Sequence, residues 1–442
     1  MLNTSMRWLT RTLNGFDWSL VKGSALLSIG MALARILGLA FSLILASAFS
    51  ASEYGEVRYS IAVASIVAIG TMPLGQHVLA RFVSKYQNDQ NRLDVVLSNF
   101  FLILPVVFLA TLMIAAPILL MLGKFNIGIL VIFLGETLFY TYWGLSSGFL
   151  ESRRLTVAYL GSNFVQIILV FVLIQMLEIH SPTLALLIYG LSYLLPLALL
   201  VIFWPLPGHP RFHLINGKVM GELLLFSFPV WISHACYTLS ISIDFLLLES
   251  LGSEGQLGAY SLSKTLAGMF LIVPSGISTL LMPKVASSPQ KGHSQLLIRM
   301  LTITLLVDAL ALMVYLPLAQ PLTQRIFGGD YLVPFAVSFV LSMYMILYGI
   351  HGLVTAVFVG NGKPQFESFS RVIELIITAL CCWILIPVYG GMGAAIALLT
   401  GKGAALVIYM LLRPVNFKTG RSIFSFSDRE ILAHDEEHSK HD

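Results

Sequence analysis

What this chain has least of is charge. Asp, Glu, Lys and Arg make up 11 % of its 442 residues, where a soluble domain carries about 25 %. With 57 % hydrophobic residues and a mean hydropathy of +0.86, a soluble globular fold is excluded and a polytopic membrane protein expected. The polar–apolar alternation of a transmembrane β-barrel is missing too, because the apolar runs are continuous. Cysteine is scarce: Cys236, Cys381 and Cys382 all fall inside apolar runs without metal-ligand spacing and read as packed thiols. Gly-Lys occurs at 362–363 and 401–402, but neither copy has the upstream glycine or the following Ser/Thr of a phosphate-binding loop. ATP hydrolysis is therefore not expected. Zinc-protease, nucleophile-elbow and two-cysteine metal signatures are lacking, so neither an enzyme nor a cofactor is implied. Long outer loops are lacking as well, which argues against a glycan polymerase or ligase.

What the chain does have is apolar runs long enough to cross a bilayer, which takes about 20 residues as a helix. An all-α protein with about twelve transmembrane helices is expected, at 23–49, 57–80, 97–121, 126–150, 156–178, 182–204, 221–249, 258–282, 296–319, 331–359, 364–387 and 391–412. Juxtamembrane Lys and Arg set orientation. Of the 26 such residues, Arg35, Lys264 and Lys402 lie mid-span. With a cytoplasmic N-terminus, the outer loops keep only Arg58, Lys124 and Arg325. The remaining twenty, with Arg371 at the border, fall on the inner side, so both termini are expected to be cytoplasmic. Ala46-Ser47-Ala48 imitates a signal-peptidase site, but the run before it is too long and holds Arg35, so an uncleaved first span is expected.

The runs are organised around a hairpin from Lys22 to Lys85 that recurs from Gly221 to Ala286. Tyr59-Ser60 is answered by Tyr260-Ser261, and Pro73-x-Gly75 by Pro274-x-Gly276, at a constant offset. A repeat at half the chain length predicts two six-helix lobes, as in carriers that bind substrate at a repeat interface. The expected organisation is an interfacial segment over 1–21, an N-terminal lobe over 22–204, a Pro- and Gly-rich linker over 205–220, a C-terminal lobe over 221–412 and a polar tail over 413–442. The tail gathers His434, His438 and His441 among carboxylates, a pattern that reads as a solvated terminus. Pro105, Pro117, Pro196, Pro229 and Pro317 fall inside spans, where proline permits bending.

Eight ionisable residues lie at depth: Arg35, Glu136, Asp244, Lys264, Asp308, Arg371, Glu374 and Lys402. A charge at the centre of a membrane helix costs about 2.5–3.5 kcal/mol on the insertion scale. They must therefore face a cavity or one another. Four are basic and four acidic, so complete internal pairing is arithmetically open. Arg35 has no acidic residue at helical spacing, and its fixed fork of donors suits a phosphate. Asp244 and Lys264 lie on opposite arms of the second hairpin, as a salt bridge or as cavity groups. Arg371 shares a helical face with Glu367 and Glu374, and Lys402 is flanked by Gly401 and Gly403. Arg35, Lys264, Arg371 and Lys402 are the candidate substrate contacts. Asp244, Asp308 and Glu136 are the candidate coupling groups for H+ or Na+.

These stretches resemble the polysaccharide transporter family, the O-antigen and exopolysaccharide flippases of the multidrug/oligosaccharidyl-lipid/polysaccharide exporter superfamily. The resemblance rests on Ala34-Arg35-Ile36-Leu37-Gly38, Glu53-Tyr54-Gly55 and Gly75-x-x-x-x-x-Arg81 in the first hairpin. In the second it rests on Pro229, Asp244, Leu248, Gly258 and Tyr260-Ser261-Leu262, closing on Leu281-Met282-Pro283-Lys284. It implies a flippase for an undecaprenyl-diphosphate-linked oligosaccharide repeat unit, driven by an ion or the membrane potential. The charge and exposure of the C-terminal tail suggest polysaccharide polymerase and chain-length proteins as partners, and no nucleic acid is expected. By position Arg35 matches the family's first-helix arginine, Asp244 the aspartate of the seventh helix, and Lys264 a basic position in the eighth. The competing readings are a multidrug or organic-cation antiporter of the same superfamily, whose cavity should be acidic, and a non-transporting scaffold of glycan assembly.

Overall fold

The computed structural model describes residues 18–149, 151–176, 181–203, 210–211, 214–252, 256–287, 293–327, 334–361 and 365–412. Most of the expected interfacial segment, much of the linker and all of the polar tail lie outside the described residues. Within them the chain is helical: α1 Trp18–Ala48, α2 Ala51–Ala68, α3 Ala80–Tyr86, α4 Gln90–Met121, α5 Ile127–Gly148, α6 Ser152–Val170, α7 Pro182–Phe203, α8 Gly217–Leu251, α9 Gln256–Ala267, α10 Ile272–Ser287, α11 His293–Phe327, α12 Phe335–Gly360, α13 Gln365–Tyr389 and α14 Gly391–Leu412. A helix bonds its own backbone, which is why apolar runs in lipid fold this way.

The starts are encoded locally. Ser50 and Glu53 form a capping box on α2, with Ser50 N donating to Glu53 Oε2 at 3.0 Å. Asp89, Asn126 and Asn216 cap α4, α5 and α8 by accepting from backbone N–H groups two or three residues ahead.

Eleven helical segments among the described residues are long and apolar enough to cross a membrane. The expected span 57–80 is not one of them. Its helix tightens after Ala68, where the N–H groups of Ile69, Gly70 and Thr71 bond back three residues. Pro73 follows, then a wider π-helical turn over Leu74–Leu79 leads into α3. The crossing is thus built from pieces. Its counterpart in the second hairpin tightens at the matching place, over Gly268–Leu271 between α9 and α10, just ahead of Pro274.

Packing repeats as well. In the N-terminal lobe α1 packs on α6, α5 on α7, and the Leu74–Leu79 arm on α5. In the C-terminal lobe α8 packs on α13, α12 on α14, and α10 on α12. Two six-helix lobes related by an internal repeat are the result.

The lobes meet at both ends. At the end bearing the Ser50 turn, α2 crosses α9 where Gly258 lies against the Ala51 carbonyl and Gly55 against the Gly258 backbone. A Cβ on Gly258 would collide with that carbonyl, so Gly258→Ala is expected to lower stability by about 1–3 kcal/mol through overpacking. Gly276→Ala, with open space around its Cβ, should leave stability unchanged or raise it. Thermal unfolding of the two purified variants checks the contrast.

The same end carries an ion pair between the lobes, Lys124 Nζ to Glu249 Oε1 at 2.7 Å. The hydrogen bond that Lys124 donates to Glu249 pushes the ammonium's pKa above its ordinary value. A raised lysine contributes stability below its unfolded pKa of about 10.4 and loses it as pH rises through the folded value. Both side chains are about a third exposed, so the pair contributes at most about 1 kcal/mol. The stability gap between wild type and Lys124→Gln should therefore be small and flat from pH 7 to 9, and should close above pH ~10.5. Thermal melts across that range read it directly. At the opposite end Phe226 of α8 lies edge-on to Phe82, and the Arg81 guanidinium sits 4.2 Å from the Phe226 ring.

Candidate functional site

The three cations at depth in the C-terminal lobe, Lys264, Arg371 and Lys402, are all paired. Asp244 on α8 is fully buried. Its Oδ2 accepts from Lys264 Nζ at 2.6 Å and from Tyr260 Oη at 2.5 Å. Lys264 also donates to the Ile241 carbonyl and stands 4.4 Å from the Phe245 ring. The two hairpin arms place these groups opposite one another, so the salt-bridge form of the expectation is the geometry found. Deeper in the lobe, Lys402 on α14 reaches across to Glu374 on α13, Nζ to Oε1 at 2.5 Å. Glu374 also pairs with Arg371, which pairs in turn with Glu367. Two cations and two carboxylates close into a neutral network whose aromatic lid is Tyr237 and Tyr348. The Arg371 guanidinium lies 4.8 Å from the Tyr237 ring, and Lys402 Nζ lies 4.3 Å from that of Tyr348.

The N-terminal lobe is different. Arg35, on α1, is half-buried within electrostatic reach of Tyr159, and no carboxylate pairs with it among the described residues. Arg58 lies inside α2, two turns past its start, rather than on an outer loop. Its Nε is buried with no hydrogen-bond partner, and its nearest ring is Phe245 at 6.0 Å. Arg58 looks into a cavity of about 220 Å³ walled by Tyr140, Tyr159, Tyr189 and Tyr193 and by the amides of Asn163 and Gln166. Gln166 is 4 % exposed. Arg58 escaped sequence reasoning because the polar stretch before it, Ser50 to Glu56, reads as a loop; the capping box Ser50-x-x-Glu53 was the signal that helix begins there.

Three buried carboxylates keep one oxygen without a partner: Glu136 Oε2, Asp244 Oδ1 and Asp308 Oδ2. Glu136 accepts from Ser65 through its other oxygen at 3.2 Å. The expected coupling groups thus share one trait, a bare oxygen in an apolar interior, although they sit on three helices, α5, α8 and α11. The expected substrate contacts divide. Lys264, Arg371 and Lys402 are committed to carboxylates, whereas Arg35 is not.

Two lobes of six helices with repeated packing define a multi-pass membrane fold. The chain aligns over 88 % of its length with the inward-facing conformation of a multidrug resistance MATE family transporter, covering 97 % of that chain at TM-score 0.67 and 15 % identity. It aligns over 87 % of its length with the inward closed conformation of the lipid II flippase MurJ, covering 87 % of it at TM-score 0.62 and 16 % identity. Within this fold the chain belongs to the polysaccharide biosynthesis protein family, Polysacc_synt, whose model matches residues 20–287. It is also similar to the capsular polysaccharide biosynthesis protein CapF of Staphylococcus aureus, 23 % identical over 274 residues, which are 59 % of this chain and 67 % of that protein.

Proposed function

We propose that this protein is a flippase for polyprenyl-diphosphate-linked oligosaccharide repeat units in the biosynthesis of O-antigen, capsule or exopolysaccharide. One observation carries the reading: Arg35 and Arg58 stay without carboxylate partners while Lys264, Arg371 and Lys402 are all paired. An unpaired intramembrane arginine costs too much to keep without a ligand, and its fork of donors matches a diphosphate. A cation carrier would invert this arrangement and leave carboxylates facing its cavity.

In the cycle we propose, the lobes rock about a central passage. The substrate's lipid chain stays at the bilayer side, where the cleft between α4 and α8 is apolar and lined by Leu74, Val107, Phe228 and Trp231. Arg35 holds the diphosphate. The bare oxygens of Glu136, Asp244 and Asp308 take up the coupling proton or sodium ion, since a buried ionised oxygen needs such a partner. The protein lies in the bacterial inner membrane with both termini cytoplasmic, so the Ser50 end faces outward. The lobes run over 22–204 and 221–412, and the cytoplasmic tail is placed to meet polymerase and chain-length proteins.

Reconstitution tests this. Vesicles holding the purified protein are loaded with polyprenyl-diphosphate-linked oligosaccharide on one leaflet, and its exposure to an impermeant oxidant or lectin on the other is followed. Protein-dependent exposure supports the flippase. Absence of exposure, with proton-driven efflux of an organic cation instead, moves the protein to the antiporter class.

A further inference from the structure

The cavity of the N-terminal lobe is more specific than a positively charged passage requires. We infer that it is a saccharide subsite for a sugar that bears a carboxylate, a uronic-acid type residue of the repeat unit, with Arg58 as its anchor. This rests on the flippase reading above.

Four features carry it. The volume, about 220 Å³, is below the roughly 300 Å³ at which pockets for drug-sized ligands begin, and it suits one sugar ring rather than a multi-ring drug. Its walls are tyrosines, whose faces stack on the C–H face of a pyranose while their hydroxyls meet its hydroxyls. The ring positions are fixed from behind: Phe139 packs on Tyr140, Tyr159 and Tyr193, with centroids 5.5, 6.4 and 5.1 Å away. Tyr193 donates to Tyr189 at 3.3 Å. Gln166, itself buried, lines the space and offers an amide to a sugar hydroxyl.

The fourth feature is Arg58, half-buried, with its Nε buried and without a hydrogen-bond partner. Set among amides and phenols, it pairs with the carboxylate of a sugar acid in the two-pronged geometry arginine favours. A neutral sugar would leave that charge without a counter-ion. The nearest carboxylate of the lobe, Glu136, is within electrostatic reach of Tyr140, Tyr189 and Tyr193 but does not line the cavity and is turned to Ser65. The diphosphate shares the anion chemistry of a sugar acid. It gains nothing from tyrosine faces, and it must remain joined to a lipid tail, which favours Arg35 for it.

The test is ligand binding by the full-length protein in nanodiscs, with glucuronate, glucose and inorganic diphosphate as probes and saturation-transfer NMR as readout. Glucuronate should bind roughly ten- to a hundredfold tighter than glucose, the range for hydrogen bonds to a charged group. Arg58→Gln should erase that preference, and Arg58→Lys should keep part of it. Gln166→Ala should weaken both sugars together and leave their ratio unchanged. Because the readout is a ratio within one sample, loss of folded protein cannot imitate it. Equal binding of the two sugars, an unchanged ratio in Arg58→Gln, or displacement of glucuronate by inorganic diphosphate at equal concentration would overturn the subsite. Absent glucuronate binding alongside protein-dependent exposure of lipid-linked oligosaccharide removes the subsite and leaves the flippase. Glucuronate binding without any such exposure removes the flippase reading on which the subsite rests.

Discussion

Arg35→Ala should reduce surface polysaccharide by one to two orders of magnitude while the protein remains in the membrane at its normal level. The magnitude follows from the bonds removed. Hydrogen bonds to a charged group contribute about 1.5–3 kcal/mol each, and 1.4 kcal/mol is tenfold. The retained level follows from the surroundings: no carboxylate depends on Arg35 among the described residues, so its removal leaves no buried charge behind. Arg35→Lys keeps a charge but loses the fork, and should fall between wild type and Arg35→Ala. Immunoblotting beside polysaccharide quantification separates the outcomes. Loss of the protein together with the polymer would make Arg35 a structural residue.

Lys402→Met should do the opposite and damage the fold. Lys402 is fully buried against Glu374, and removing one partner of such a pair costs about 3–5 kcal/mol because the other is left uncompensated. Glu374→Gln in the same chain should recover most of that loss, since Arg371 and Glu367 then remain as a neutral pair. Thermal melts of the single and double variants measure the recovery. Equal damage in both would mean that the side chains matter for packing alone.

These expectations sort the buried charges in a way that sequence reached only in part. Crossings were legible, because twenty apolar residues in lipid leave the backbone no alternative to helix. The repeat was legible from Tyr59, Pro73 and their partners 201 positions on, and it returns as matched packing and matched breaks before Pro73 and Pro274. The break itself was not foreseen, since Ile69, Gly70 and Thr71 are apolar or neutral enough to continue a span. Within one helix or one hairpin, neighbours could be paired by spacing, as for Arg371 with Glu374 and Asp244 with Lys264. Lys402 and Glu374 sit on adjacent helices whose rotation no spacing reveals, so their bond needed coordinates. Arg58 was hidden by polarity: seven polar or small residues before it look like a loop, whereas a capping box had already started the helix.

If a lipid-linked saccharide crosses the membrane through this protein, as we propose, the pool of that molecule reports it most directly. In cells lacking the gene, polyprenyl-diphosphate-linked oligosaccharide would be quantified by mass spectrometry together with surface polysaccharide. Complete repeat units should accumulate and surface polymer should be lost, and the wild-type gene should reverse both while Arg35→Ala does not. Unchanged lipid-linked pools, with greater sensitivity of the cells to cationic drugs, would contradict the proposal.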